Sequence, residues 1–157
     1  MTKKAIRSAE LGIDLRTREE RELFKWFLAC LLFGKPIQQE VAKRTYGEFV
    51  KEGLLTPEAI LLAGWNKLVE VLDRGHYVRY DFSTATKLLE VCQSLKERYG
   101  SITTLLNQAG RRADLKQRLQ LFKGVGAVTA RIFLRDLKAI WDGQKKVKPC
   151  QRRSTTC

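Results

Sequence analysis

Lys123, Gly124, Val125 and Gly126 stand in succession, and Arg131 and Arg135 follow on the next helical stretch. Glycine tolerates φ > 0 and lets the backbone come close to whatever lies outside it. The N–H groups that open the following helix have no partner within it. With the positive end of the helix dipole they make an anion site, and a phosphate satisfies both without any base being read. Arg131 and Arg135 lie one and two turns further along and Lys123 just before the turn, placed to reach neighbouring phosphates. A Gly-x-Gly turn also serves close packing of two helices, and the spacing alone leaves both uses open.

The other chemistry-bearing residues exclude more than they offer. Cys30, Cys92, Cys150 and Cys157 are too widely spaced for a zinc module or an iron–sulfur cluster. Cys30 and Cys92 read as small buried hydrophobes, and no metal or cofactor is expected. His76 is the single histidine, so a mechanism that needs two is excluded. Thirty Lys and Arg against seventeen Asp and Glu leave a net charge of +13. Cations that displace condensed counterions from a polyanion release entropy, which makes nucleic acid the leading partner. A generically basic protein, or one that adheres to anionic membrane surface, has the same charge.

The elements that must position these residues read as all-α. A hydrophobic content of 44% supports a core, and no stretch alternates like a half-buried strand. The longest apolar run, Phe27 to Phe33, is far short of the ~20 residues of a membrane span. No secretory signal follows Met1, and an intracellular, reducing setting is expected, cytoplasmic or with the DNA of a nucleoid or nucleus. Leu23, Phe24, Phe27, Leu28 and Leu31, with Trp26, Cys30 and Leu32, predict a helix apolar nearly all round, as in the middle of a bundle. Gly34-Lys35-Pro36 ends it, with Pro36 suited to open the next helix, from which Ile37, Val41, Tyr46 and Phe49 face inward.

Thr56-Pro57-Glu58 predicts another start, followed by two short helices, Glu58 to Ala63 and Trp65 to Leu72. Ser83 suits the cap of a helix through Leu95 that Gly100 closes. A short helix near Ile102 to Gln108 follows, then one capped by Asp114, then one from Ala127 to about Trp141. Trp65 and Trp141 fit apolar faces and read as core. The expected organisation is a basic N-terminal segment (1–18), a helical domain (19–141) and a basic flexible tail (142–157).

Leu121-Phe122-Lys123-Gly124-Val125-Gly126-Ala127-Val128-Thr129-Ala130 resembles the helix-hairpin-helix motif of the endonuclease III (HhH-GPD) superfamily of DNA glycosylases, whose commonest form is Leu-Pro-Gly-Val-Gly-x-Lys-Thr-Ala. The segment Leu31 to Gln38 is similar to the loop by which relatives enter DNA. Gly75-His76-Tyr77, the helix of Ala85 to Leu95 and Tyr99-Gly100 are similar to what precedes the hairpin in many members. The resemblance covers about Leu23 to Trp141. It implies a multi-helix DNA-glycosylase-like fold with the hairpin at 114–141, and a DNA-binding protein of base-excision repair acting on duplex DNA, intact or damaged.

It does not deliver the family's chemistry. Relatives carry a catalytic aspartate beyond the hairpin, where this chain reads Gly143-Gln144-Lys145-Lys146-Val147-Lys148. Bifunctional members place a Schiff-base lysine where Val128 stands, and the clustered iron–sulfur cysteines of many relatives are missing. No catalytic residue is assigned. The expected interface is Lys123, Gly124, Val125, Gly126, Arg131 and Arg135, with Lys35 either a side chain that fills the space of an extruded base or an ordinary loop lysine. A monomer is expected. The alternatives are a glycosylase or lyase that recruits another acid, such as Asp81, Asp136 or Asp142, and a basic helical module for RNA or protein.

Overall fold

Helices form where the 3.6-residue period places them. The structure, a computed structural model, describes the backbone of residues 6–147 and the side chains of residues 6–137. Within these the fold is all-α, with no strand. The helices are α1 (Glu20–Phe33), α2 (Gln39–Lys51), α3 (Pro57–Arg74), α4 (Asp81–Arg98), α5 (Ile102–Ala109), α6 (Arg112–Gln120) and α7 (Ala127–Val147).

A helix with apolar residues all round must be covered on every side. Helix α1 buries every residue from Leu23 to Leu32 except Lys25, and α2, α5 and α7 pack around it. Phe27 contacts Phe24, Phe122 and Phe133, with ring centroids 6.3, 6.5 and 5.4 Å away. Phe122 thereby anchors the turn before α7 into the centre. The Trp26 indole N–H donates to the Phe133 carbonyl at 3.2 Å, tying α1 to α7. Cys30 and Cys92 are fully buried, as their types suggested, and burial pushes the Cys92 thiol up to about 12.

Several boundaries follow the sequence closely. Thr56 Oγ1 accepts from the Ala59 amide at 3.0 Å, with Pro57 in the first turn of α3. Gly64 interrupts α3 with φ 82° and ψ 169°, so its two halves are the two short helices expected there. Gly100, at φ 85°, follows the end of α4.

Other boundaries move. Pro36 does not open α2: the Ile37 amide turns back onto the Lys35 carbonyl at 2.7 Å, and Gln38 takes the cap position. Ser83 is not the cap of α4. A 3-10 turn at Val78–Tyr80 runs straight into the helix, Tyr80 takes the cap position, and the Ser83 hydroxyl donates back to the Tyr80 carbonyl at 3.3 Å. Asp114 lies inside the first turn of α6, where Arg118 pairs with it at 3.2 Å. Helix α7 continues to Val147, into the expected tail. Gln144, Lys145 and Lys146 favour a helix past Asp142 and Gly143, and no proline intervenes before Pro149. Residues 148–157, with Cys150 and Cys157, lie outside the described residues, as do the side chains of Trp141 and Asp142.

The N-terminal segment is more than a basic arm. Two 3-10 turns, Ser8–Leu11 and Leu15–Thr17, carry Ile13 and Leu15 into the core. Asp136 on α7 fastens this segment: its carboxylate accepts from the Ser8 amide at 2.7 Å and from Arg7 at 2.8 Å. Among the described residues no helix is long and apolar enough to cross a membrane.

Candidate nucleic-acid interface

Helix α6 ends at Gln120, and the Leu121 and Phe122 amides bond back to Arg118 and Leu119. The Val125 amide then donates to the Phe122 carbonyl at 3.1 Å and closes the turn. Gly124 stands at φ 94°, in the region that favours glycine. The first helical bond of α7 runs from the Ala130 amide to the Gly126 carbonyl at 3.1 Å. The amides of Ala127, Val128 and Thr129 therefore precede the helical ladder, as at any helix start.

Lys123, Gly124, Gly126 and Arg131 are all exposed around this helix start. Val125 is buried and holds the turn down, so its side chain serves packing while its neighbours face out. A Cβ added at Gly126 would meet nothing within 4 Å, so the backbone there is open. At Gly124 an added Cβ would lie 2.8 Å from Cγ of Lys87, so α4 supports the turn from beneath. Open amides, a helix dipole and exposed cations together can hold an anion of phosphate size.

Arg135 is placed differently from Arg131. Its Nε bonds Asp136 at 2.9 Å, a terminal guanidinium nitrogen donates to the Ile6 carbonyl at 2.6 Å, and the group lies 6.0 Å from the Trp26 ring. Much of its donor capacity is turned onto the chain itself. Lys35 is half-buried, its Nζ 5.2 Å from the Tyr80 ring centroid, and Arg79 flanks the same ring at 5.8 Å. A Cβ at Gly34 would collide with Thr129 Oγ1, so the end of α1 meets the start of α7. The fold thus brings the loop of Lys35 beside the Gly-Val-Gly turn, across nearly a hundred residues of chain.

Lys87 is the residue that sequence reasoning missed. It is 9% exposed, its stem packs under Gly124, and its Nζ lies 3.5 Å from the Leu31 carbonyl at the end of α1. Burial, and then the neighbouring Lys35 ammonium, lower its amine from 10.5 to about 8. The Tyr77 hydroxyl donates to the next carbonyl, that of Leu32. A lysine between Thr84 and Val91, within the apolar stripe of α4, was the available signal.

Of the acids considered for recruitment, Asp136 and Asp81 are engaged in structure, and the side chain of Asp142 lies outside the described residues. Burial alone would raise the Asp136 carboxyl. The Ser8 amide, Arg135 and Arg7 outweigh it and hold the group below its usual range. Asp81, the first residue of α4, accepts from the neighbouring Phe82 amide at 2.7 Å. A hydrogen bond shared with Asp81 raises the Asp73 carboxyl.

The expectation that Trp65 is a core residue is corrected. It is 37% exposed, its ring centroid 5.1 Å from that of Phe82, which is 60% exposed, and its indole N–H donates to Thr86 Oγ1 at 3.1 Å. The kink at Gly64 turns the second half of α3 so that Leu68, Val71 and Leu72 take the interior and Trp65 the surface. Among the described residues no cluster of His, Cys, Asp or Glu could hold a metal ion. Comparison with family models, curated proteins and solved structures finds no match.

Proposed function

We propose that this chain binds duplex DNA, intact or damaged, by its phosphate backbone at the turn between α6 and α7. The proposal takes that turn as a helix-hairpin-helix of the endonuclease III-like kind, in a protein without the aspartate and lysine that give those glycosylases their chemistry. The observation that carries it is the exposed start of α7: Gly124 at φ 94°, open space at Gly126, and Lys123 and Arg131 on either side. Backbone amides recognise phosphate without regard to sequence, which suits a protein of net charge +13.

Affinity for a blunt duplex should fall with salt by about 0.9 in log K per log salt for each phosphate neutralised, a slope near −2 to −3 for this turn and its cations. Gly126→Leu projects into open space. It should weaken duplex binding about tenfold or more, because the side chain keeps one phosphate from the amides, and leave the melting temperature nearly unchanged. A flat salt response, or equal losses of affinity and stability, would refute the assignment. Duplexes carrying a damaged base or an abasic site, followed for retention and cleavage together, separate binding from catalysis; cleavage would overturn the non-catalytic part of the reading.

A further inference from the structure

The surface of α3 and α4 beside the turn bears apolar groups that the duplex contact does not use. Phe82, Thr86, Leu89, Glu90 and Gln93 recur at helical spacing along α4, and Trp65 of α3 packs against Phe82, the two ring planes tilted by 47°, and bonds Thr86. Beyond this aromatic pair an open groove of about 460 Å³ is lined by Leu61, Leu89, Glu90, Gln93, Ser94 and Lys123. Lys123 is thus a wall of the groove and a member of the turn at once. Arg79, three residues before Phe82 in sequence, is exposed and lies against the Tyr80 ring.

We infer that the Trp65–Phe82 pair and this groove form a platform for unpaired nucleotides of a DNA strand whose phosphate is held at the α6–α7 turn. The inference rests on the duplex-binding reading and adds a substrate class to it, a junction between double and single strand. Aromatic faces stack on any base, and a cation at the turn end, Lys123, meets the backbone. Glu90, Gln93 and Ser94 offer acceptors and donors to base edges, which suits bases better than a purely anionic ligand. The helical rise from Thr86 to Gln93 is about 10 Å, the axial rise of roughly three stacked nucleotides. A base on Trp65 and a phosphate at Lys123 are therefore compatible with one short unpaired segment.

The test compares the full chain on a blunt duplex and on the same duplex with a short single-stranded extension, by fluorescence anisotropy at one salt concentration. The extension should tighten binding about tenfold, the fold-change of one stacked base. Trp65→Ala and Phe82→Ala should each abolish that gain and leave blunt-duplex affinity unchanged. Phe82 is the more exposed, so its variant keeps the test available should Trp65→Ala fold poorly, and Trp65→Phe should retain the gain. No gain from the extension, equal losses on both DNAs, or self-association of the wild type that Phe82→Ala disperses would overturn the platform. Failure of the duplex reading looks different: blunt-duplex binding is absent or indifferent to Gly126→Leu, while a gain from the extension still depends on Trp65 and Phe82.

Discussion

Replacing Lys87 by Met isolates the cost of a buried ammonium and has a pH signature that few other effects imitate. In the folded chain the amine titrates near 8, against 10.5 ordinarily, because burial and then Lys35 disfavour its charged form. The interval, at about 1.4 kcal/mol per pH unit, amounts to about 3 kcal/mol. Between the two values the unfolded chain keeps the proton that the native chain has released, so native stability rises with pH across that window. Below pH 8 the full cost is carried. Met preserves the stem's packing under Gly124 and forfeits the 3.5 Å contact to the Leu31 carbonyl, worth about 1 kcal/mol. Lys87→Met should therefore be more stable than the wild type by about 2 kcal/mol at pH 7, with the gap closing through pH 9 and reversing slightly by pH 10.5. Urea denaturation of both proteins at each pH measures the gap directly, and other titrating groups cancel in the difference. Parallel curves over pH 7 to 10, or a variant less stable at pH 7, would refute the reasoning.

Two further outcomes follow from the same contacts. Gly124→Ala should destabilise by about 2 kcal/mol, since it places a Cβ at positive φ and 2.8 Å from the Lys87 stem; Gly126→Ala, in open space, should cost under about 1 kcal/mol, and thermal melts of the pair check the ordering. Asp136→Ala should cost about 2 to 3 kcal/mol by leaving the Ser8 amide, Arg7 and Arg135 without their acceptor. Because the Asp136 carboxyl sits below its usual 3.8, its stabilisation is present above that pH and fades as pH falls through the lower folded value. An acid titration of stability in which the variant lacks this loss would confirm it.

Local signals wrote much of this fold. The all-round apolar pattern of α1 leaves no position but the centre, Thr56-Pro57 supplies both a cap and a rigid first turn, and Gly-Val-Gly marks a tight connection whatever surrounds it. These depend on neighbours a few residues away, and a sequence displays such neighbours directly. The end of α7 shows the same limit from the other side: no large apolar residue but Val147 suggested a tail from Asp142, yet the helical backbone runs on to Val147.

What tertiary structure decided are the pairings between distant segments. Arg135 shares a helix stripe with Arg131, but Asp136 and the Ile6 carbonyl draw it inward because the N-terminal turns pack there. Trp65 sits on an apolar stripe in sequence and on the surface in space, since the kink at Gly64 redirects the second half of α3. Lys87 reads as an ordinary helical lysine until Gly124 covers its stem and Lys35 approaches its charge. Residue type and spacing determined which helices exist and where a glycine turn opens one of them; the packing of α4 beneath the turn, and of the N-terminal segment on α7, determined which cations near it stay exposed, because burial and pairing depend on segments far apart in the chain.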